Sequence, residues 1–277
     1  MNINWFPGHM MKAVREMEEN LSLVDAVVYV IDSRAIKSSA NPEFDKLIKN
    51  KPVLYIFNKS DLVEKNNLTA WINKFKAEGK EAISLVGTSL NPEVVTSALK
   101  KACANKLNKF ANKGAKVSIR VMVIGVPNTG KSTIINSIIG KAKAVTGNRP
   151  GVTRRQVWYS ISGVDFLDTP GTLWGKFQDN NIALHLAYIG SIRGEVLDKQ
   201  ELVKEFLKEI KEEYMPLLTA RYKVQEIGDD MDLALENIAK ARGWIVKGGE
   251  VDLERTANAI LDDFRNGKIG KIMLEKA

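Results

Sequence analysis

Residues 125–132 read GVPNTGKS and match the pattern G-x-x-x-x-G-K-[ST] throughout. An apolar stretch at 117–124 precedes it, and a helical pattern at 131–139 follows it. A strand, a glycine-rich loop and a helix in this order form a phosphate-binding loop, in which backbone N–H groups surround phosphate oxygens at a helix N-terminus. The sequence therefore predicts a nucleotide-binding P-loop.

The polar residues of this loop have separate expected roles. The ammonium of Lys131 reaches the outer phosphates and is a catalytic candidate, whereas the hydroxyl of Ser132 is a ligand for Mg2+. Four further residues are predicted to contact the nucleotide: Asn128, Thr129, Gly130 and Thr133.

Residues 58–61 read NKSD and follow a short apolar run. The carboxylate of Asp61 can accept both N–H donors on the Watson–Crick edge of guanine, whereas adenine presents a different pattern. We expect Asn58 to brace the loop and the stem of Lys59 to cover the face of the base. The motif therefore predicts GTP and GDP, rather than ATP, as ligands.

Two weaker motifs would complete a nucleotide site. After another strand, the residues Gly87, Thr88 and Ser89 suit the loop that contacts the guanine oxygen. Further along, Asp168 ends a strand in the sequence DTPG and is expected to hold Mg2+, while the N–H of Gly171 meets the terminal phosphate.

Between the phosphate loop and Asp168 lies Thr153, in an arginine-rich segment at residues 149–155. A mobile loop here would bring a second hydroxyl to Mg2+. We therefore predict that Thr153 is a metal ligand and takes part in catalysis.

Short apolar runs alternate with helical patterns up to about residue 175, which predicts an α/β fold with a mostly parallel sheet covered by helices. We expect strands at residues 26–31, 53–57, 82–86, 117–124, 156–161 and 164–167. We expect helices at residues 42–49, 68–78, 92–106 and 131–139.

Beyond this point helical periodicity replaces the strand signals. One apolar stripe is formed by Leu202, Val203, Phe206, Leu207 and Ile210. A last helix is expected to begin after Asp252 and to end at Gly267. We therefore predict a GTPase domain at residues 1–176 and an all-α domain that binds RNA or the ribosome at residues 177–277.

Composition excludes several classes of protein. The chain has 277 residues, of which 44% are hydrophobic, and this is enough for a substantial core. It has no apolar run near the roughly 18 residues that a membrane-spanning helix needs, and the N-terminus lacks the apolar segment of a signal peptide. Its single cysteine, Cys103, cannot form an internal disulfide. We expect a cytoplasmic protein with no membrane contact.

The net charge of +8 is unevenly distributed. Residues 1–176 carry 26 Lys and Arg against 14 Asp and Glu, whereas residues 177–277 carry 15 against 19. Residues 94–164 include 13 basic residues and no acidic one. Such a charge attracts polyanions and favours contact with RNA or phosphate, although a solvated helix face is the alternative.

Together these motifs resemble those of the translation-factor-related GTPases, in a changed order. In that class the phosphate loop comes first, whereas here the base-reading residues 58–61 precede it, as in a circular permutation. The N-terminal sequence WFPGHM at residues 5–10 is similar to that of the YlqF/RbgA family of ribosome-assembly GTPases. Residues 248–252 (GGEVD) and 263–268 (DFRNGK) also resemble the C-terminal domain of that family.

The resemblance implies a GTP-hydrolysing factor that acts on the maturing large ribosomal subunit and its rRNA, with nucleotide state controlling the association. It implies a catalytic role for His9 and a contact between Asn128 and a K+ ion beside the phosphates. We expect a monomer away from the ribosome. Many GTPases have a water-orienting glutamine where this chain has Thr172, and the family usually has an apolar residue there, so this role is open.

Other functional classes remain open from the residues alone. A signalling or transport G protein would bind a protein partner and need no RNA, and a tRNA-modifying GTPase would act on a different RNA. The second is weakened because no methyl-donor or cysteine-catalysis site is recognisable. A P-loop kinase is disfavoured because no second acceptor site is evident.

Overall fold

The computed structural model describes residues 8–140, 157–174, 177, 179–192 and 198–277, with the backbone alone for residues 8–11 and 157. In this part of the chain one sheet contains the strands β1 (Ala26–Asp32), β2 (Val53–Asn58), β3 (Glu81–Ser84), β4 (Ile119–Ile124), β5 (Val157–Ile161) and β6 (Val164–Asp168). Their spatial order is β3-β2-β1-β4-β6-β5. All neighbours run parallel except β5 and β6, so the predicted mostly parallel α/β fold is confirmed.

The register of these strands aligns the chemistry at one edge of the sheet. Asp32 and Asn58 are partners at the carboxyl ends of β1 and β2. Val123, just before the end of β4, is the partner of Asp168 at the end of β6. Because the strands are parallel, the base-reading motif, the phosphate loop and the Asp168 motif all leave the sheet at this edge.

Helices cover both faces of the sheet. They are α1 (Gly8–Leu21), α2 (Ile36–Ser39), α3 (Pro42–Leu47), α4 (Lys65–Ala77), α5 (Pro92–Ala102), α6 (Ala104–Ala111) and α7 (Lys131–Ile139). Alternate residues of β1 enter two separate apolar layers: Tyr29 and Ile31 pack on one side, and Val28 and Val30 on the other. Strands buried on both faces explain the nearly continuous apolar runs in the sequence.

A helical part follows, made of α8 (Asn180–Tyr188), α9 (Lys199–Tyr222), α10 (Met231–Arg242) and α11 (Leu253–Arg265). The predicted apolar stripe of α9 is buried in the core of this part. Helix α9 bends at Tyr214, two residues before Pro216, because proline lacks an N–H and its ring collides with the preceding turn. The Asp252 side chain accepts a hydrogen bond from the N–H of Arg255 and caps α11.

The C-terminal tail returns to the sheet. The N–H of Leu274 donates to the carbonyl oxygen of Arg34 at 2.8 Å, and Trp71 Nε1 donates to the carbonyl oxygen of Glu275 at 2.9 Å. Residues 175 and 176, at the predicted domain boundary, lie outside the described part of the chain. Contacts of the tail therefore join the helical part to the sheet independently of that boundary.

The structure differs from the sequence-based expectations in several details, including the following. The helix expected at 92–106 is interrupted at Cys103, whose ψ of 19° is not helical, and continues as α6. Strand β3 ends at Ser84 instead of at the expected residue 86. Helix α1 had not been predicted, although Ala13 and Met17 form a buried i, i+4 pair. Within the described residues, no helix has both the length and the apolar character needed to cross a bilayer.

Candidate nucleotide-binding site

The phosphate loop is packed so closely that two of its positions require glycine. A Cβ on Gly125, where φ is +152°, would lie 2.4 Å from the carbonyl oxygen of Val30. A Cβ on Gly130, where φ is +94°, would lie 2.2 Å from Nδ2 of Asn58. Both distances are far below van der Waals contact, so any side chain here would displace the loop.

Lys131 is buried at the start of α7, where its Nζ donates to the carbonyl oxygens of Gly125 and Val126, each at 3.0 Å. Burial lowers the pKa of Lys131 to about 8, against the opposing effect of Asp168. A buried ammonium of this kind is stabilised by added negative charge. The loop therefore favours an anionic ligand such as a phosphate group.

Ser132 and Asp168, two predicted Mg2+ ligands, lie together. The hydroxyl of Ser132 donates to Oδ2 of the buried Asp168 at 3.0 Å. One hydroxyl and one carboxylate are hard oxygen donors that suit Mg2+, which usually completes its shell with phosphate and water oxygens. The pair therefore fits the ion, with Ser132 in the first turn of α7 and Asp168 at the end of β6. The third predicted ligand, Thr153, lies outside the described residues.

Asn58 joins three loops of the site. Its Nδ2 donates to the carbonyl oxygen of Thr129 at 2.7 Å, and its Oδ1 accepts from the N–H of Gly87 at 2.8 Å. The Gly87 carbonyl in turn accepts from the hydroxyl of Ser137 in α7 at 2.5 Å. The base-reading motif, the phosphate loop and the Gly87 loop are thus connected by one buried side chain.

The predicted base-reading groups face solvent on these fixed loops. Asp61 lies in a 3-10 turn at Ser60–Leu62 and is exposed. Thr88 and Ser89 are also exposed, next to the buried Gly87. Exposed polar groups on a braced backbone can meet the edge of a base that binds from solvent.

Lys59 is held from two sides, and this arrangement involves residues that the sequence analysis had missed. Its Nζ donates to Oδ2 of Asp32 at 2.8 Å and to the carbonyl oxygen of Asn128 at 2.7 Å. Asp32 is itself paired with the buried Arg34. The sequence did contain a sign of this arrangement, because the two charged residues of DSR at 32–34 directly follow an apolar strand. In sheets of this kind ligands bind at the carboxyl ends of the strands.

The segment after Asp168 lies against the phosphate loop. A Cβ on Gly171 would be 2.8 Å from Nζ of Lys131 and 2.7 Å from Cα of Pro127, so only glycine fits. Thr172 is fully buried, and its Oγ1 has no hydrogen-bond partner within the described part of the chain. His9 lies in α1, but its side chain is outside the described part.

The phosphate loop also contacts the helical part directly. Asn128, in the left-handed region at φ 61°, donates from Nδ2 to the carbonyl oxygen of Gly190 at 2.7 Å. The hydroxyl of Ser191 donates to the carbonyl oxygen of Pro127 at 2.6 Å. The turn after α8 is therefore fastened to two successive residues of the loop.

Comparisons with known proteins agree with this geometry. A family model described as "50S ribosome-binding GTPase" matches residues 120–241. That match includes the phosphate loop and Asp168 but begins after residues 58–61 and 87–89, as expected if the chain is permuted relative to the model. The match is therefore compatible with the changed order of the motifs.

Full-length relatives are also found. The chain is 38% identical to ribosome biogenesis GTPase A of Bacillus cereus, over 99% of this chain and 94% of that protein. It is 31% identical to the protein of the same name from Thermotoga maritima, again over 99% and 94%. Among solved structures, the crystal structure of GNP-bound YlqF from T. maritima matches with a TM-score of 0.69 and 27% identity, over 96% of this chain and 98% of that one. The GDP-bound structure of the T. maritima protein matches with a TM-score of 0.68.

Proposed function

The chain belongs to the family of ribosome biogenesis GTPases A, and from this premise we propose that it hydrolyses GTP while acting on a precursor of the large ribosomal subunit. In this proposal the nucleotide state controls association with the particle and its rRNA. The protein works in the cytoplasm, as a monomer away from the ribosome. Its activity is that of a GTPase.

One observation carries this function: Asn58 bonds to both the phosphate loop and the Gly87 loop. A guanine nucleotide held by both loops would have its phosphates at residues 125–132 and its base at the Gly87 loop. The exposed carboxylate of Asp61 selects guanine at the purine end, and Thr88 and Ser89 line the same side. Together with Lys59, these residues form the proposed guanine subsite.

The phosphate end supplies the chemistry. Lys131 offsets the charge of the outer phosphates. Ser132, Thr153 and Asp168 would hold Mg2+, and the bound ion would supply positive charge beside the phosphates. The N–H groups around Thr129, Gly130, Thr133 and Gly171 complete the phosphate contacts. His9 orients the attacking water, because no glutamine follows Gly171. The amide oxygen of Asn128 is the atom that would coordinate K+.

Exposed lysines support RNA as the partner. On and after α5 the side chains of Lys100, Lys101, Lys109, Lys113, Lys116 and Arg120 are exposed. No acidic residue occurs between residues 94 and 140 to neutralise them. Arg120 lies at the start of β4, whereas the phosphate loop follows the end of this strand. A nucleotide bound at the phosphate loop would therefore leave this surface free. We name these six residues the basic surface.

The test is copurification of the full chain with large-subunit particles in the presence of GDP or a non-hydrolysable GTP analogue. We expect particle binding with the analogue, a loss with GDP, and a steep decrease as salt rises, because neutralised phosphates release counterions. Replacing Lys109 and Lys113 by Glu should weaken binding at least tenfold, since each lost phosphate contact lowers affinity and the salt slope.

The matched control is the double replacement of Lys65 and Lys76 by Glu, which makes the same charge change at exposed positions of α4. It should leave particle binding within about twofold of wild type, since only the net charge differs. Equal losses of particle binding in the two double variants would contradict the proposal that the basic surface contacts RNA. Binding to a single protein without RNA would contradict the ribosomal function.

A further inference from the structure

Asp32, at the carboxyl end of β1, is a fully buried carboxylate shared by two cations. Its Oδ2 accepts from Nζ of Lys59 and from Nη2 of Arg34, both at 2.8 Å, and its Oδ1 accepts from Nε of Arg34 at 2.9 Å. Burial would raise the pKa of Asp32, but the two cations hold it well below its ordinary value. The carboxylate is therefore ionised and depends on both partners remaining in position.

The Lys59 side of this network lies in the nucleotide site. Besides Asp32, Lys59 contacts the carbonyl oxygen of Asn128 in the phosphate loop, at 2.7 Å. Its backbone has φ 60°, in the left-handed region, so the side chain is directed by a turn as well as by its two partners. Asp32 thus fixes the ammonium whose stem covers the base in the proposed function.

The Arg34 side reaches the end of α11. Nη1 of Arg34 donates to the carbonyl oxygens of Arg265 at 3.2 Å and Phe264 at 3.4 Å, and its guanidinium lies 5.0 Å from the centre of the Phe264 ring. The last carbonyls of a helix lack intrahelical partners, and a cation there is favourable. Because Arg34 is only 1% exposed, its contacts with Asp32 and with α11 are made by one immobilised guanidinium.

A neighbouring contact strengthens the connection between these elements. Arg265 donates from Nε to the carbonyl oxygen of Tyr188 at 2.9 Å and from Nη2 to that of Ala187 at 2.8 Å. These carbonyls end α8, and the following turn accepts the hydrogen bond from Asn128. The end of α11 therefore contacts the end of α8 through Arg265, and the turn after α8 contacts the phosphate loop. The end of α11 is also connected to Lys59 through Arg34 and Asp32.

We infer that Arg34 is a positioning residue that couples guanine-nucleotide binding to the helical part of the chain, by holding Lys59, through Asp32, in register with the end of α11. The inference rests on the proposed function, because it requires a nucleotide at Lys59 and the phosphate loop. A nucleotide that fixes Lys59 also fixes Asp32, Arg34 and the last turn of α11. Coupling of this kind is reciprocal, so a partner bound to the helices changes nucleotide affinity by the same factor.

Amide hydrogen exchange of the full chain, with and without GDP and Mg2+, tests the inference. In wild type, GDP should slow exchange at residues 261–267 by about fivefold or more, which is the lower end of typical coupling between sites. Arg34→Met keeps the apolar stem but loses the hydrogen bonds of the guanidinium to Asp32 and α11, whereas the backbone N–H of residue 34 can still donate to Oδ1 of Asp32. We expect it to lose the GDP effect at residues 261–267 while GDP still protects the phosphate loop.

Arg221→Met is the matched control. Arg221 also forms a bidentate pair with a buried carboxylate of α11, because its Nε and Nη2 donate to Asp263 at 2.9 and 2.8 Å. It makes no contact with Lys59 or Asp32. This variant removes a bidentate charged attachment of the same helix. It should keep the GDP effect on residues 261–267.

If Arg34→Met does not fold, Arg34→Lys decides the question, because an ammonium can pair with Asp32 but cannot also reach the two carbonyls of α11. Protection of residues 261–267 by GDP that persists in either folded Arg34 variant would overturn the inference. The inference would also be overturned if the wild-type protein bound GDP in calorimetry but showed no change in amide exchange at residues 261–267. Wild type that fails to bind GDP would instead contradict the proposed function.

Discussion

Asn58 and Thr129 are 71 residues apart in the chain, yet the side-chain amide of Asn58 donates a 2.7 Å hydrogen bond to the carbonyl oxygen of Thr129. The other end of the same amide accepts from the N–H of Gly87. Two loops that we propose to contact different ends of a nucleotide are therefore positioned by one residue.

Asn58→Ala should lower the affinity for GDP by about 10- to 100-fold and the free energy of unfolding by about 2 to 6 kcal/mol. The variant leaves a buried carbonyl and a buried N–H unpaired, each costing about 1 to 3 kcal/mol. Calorimetry and urea unfolding measure the two effects. Asn91→Ala, which removes the cap of α5, should cost about 1 kcal/mol and leave GDP affinity unchanged.

Asp61→Asn should change the base that the protein prefers. Asparagine offers a donor where the carboxylate only accepts, and xanthine replaces a donor of guanine by an oxygen acceptor. Competition between GDP and XDP measures the preference, which should move toward XDP. An unchanged preference would mean that Asp61 does not read the base. If the wild-type protein bound ADP as tightly as GDP, the proposed selection of guanine would be wrong.

Lys131→Ala should reduce affinity for GDP and GTP by about 10- to 100-fold, because a charged hydrogen bond to phosphate contributes about 1.5 to 3 kcal/mol. Tight binding in this variant would contradict the assigned phosphate loop. Ser132→Ala should instead weaken binding through Mg2+, so that excess Mg2+ restores part of the affinity. The exposed Lys76 provides the control, since Lys76→Ala should bind nucleotide as wild type does.

His9→Ala should leave GTP affinity within about twofold of wild type but reduce the particle-stimulated rate of hydrolysis by about 100-fold or more, as expected for loss of the side chain that orients the attacking water. Single-turnover hydrolysis with saturating large-subunit particles measures that rate. Lys12→Ala, an exposed position in the same helix, should retain stimulation. A wild-type rate in the His9 variant would assign water positioning to other groups, such as Thr172, K+ or RNA.

His185 should make stability depend on pH. Burial disfavours its charged form, but hydrogen bonds and charge attraction from Glu209 and Glu275 outweigh this and raise the pKa to about 9. Because the folded pKa lies above the unfolded value of 6.5, the stabilisation is complete below that value and disappears as the pH rises through 9.

His185→Gln should therefore lower the free energy of unfolding by about 1 to 3 kcal/mol at acidic pH and by much less at about pH 10. Urea unfolding across this range, with the titration of His185 followed by NMR, checks both the sign and the midpoint. A loss that is constant with pH would show that the imidazole acts by packing alone. Since Glu275 lies in the C-terminal tail, the same variant should also loosen the tail from α2.

Much of the nucleotide site could be predicted from short segments of sequence. The phosphate loop, residues 58–61 and Asp168 each carry their chemistry within a few neighbouring residues, and the comparisons confirm the family that these motifs suggested. Strands buried on both faces are also recognisable locally, because their apolar runs are continuous. Helix interruptions such as that at Cys103 were missed, since the residues around it have ordinary helix propensity.

Residue type and close spacing were enough to predict which groups bind phosphate and guanine, and they fix the order in which those groups occur in the chain. Only the tertiary structure decided which distant groups share a buried charge. Arg34 and Phe264 are 230 residues apart, and in the sequence Asp32 and Arg34 look like the polar turn that follows any strand. They became a buried network because β1 lies between β2 and β4 and because α11 ends against that edge of the sheet, where ionised groups persist only when each has its partners.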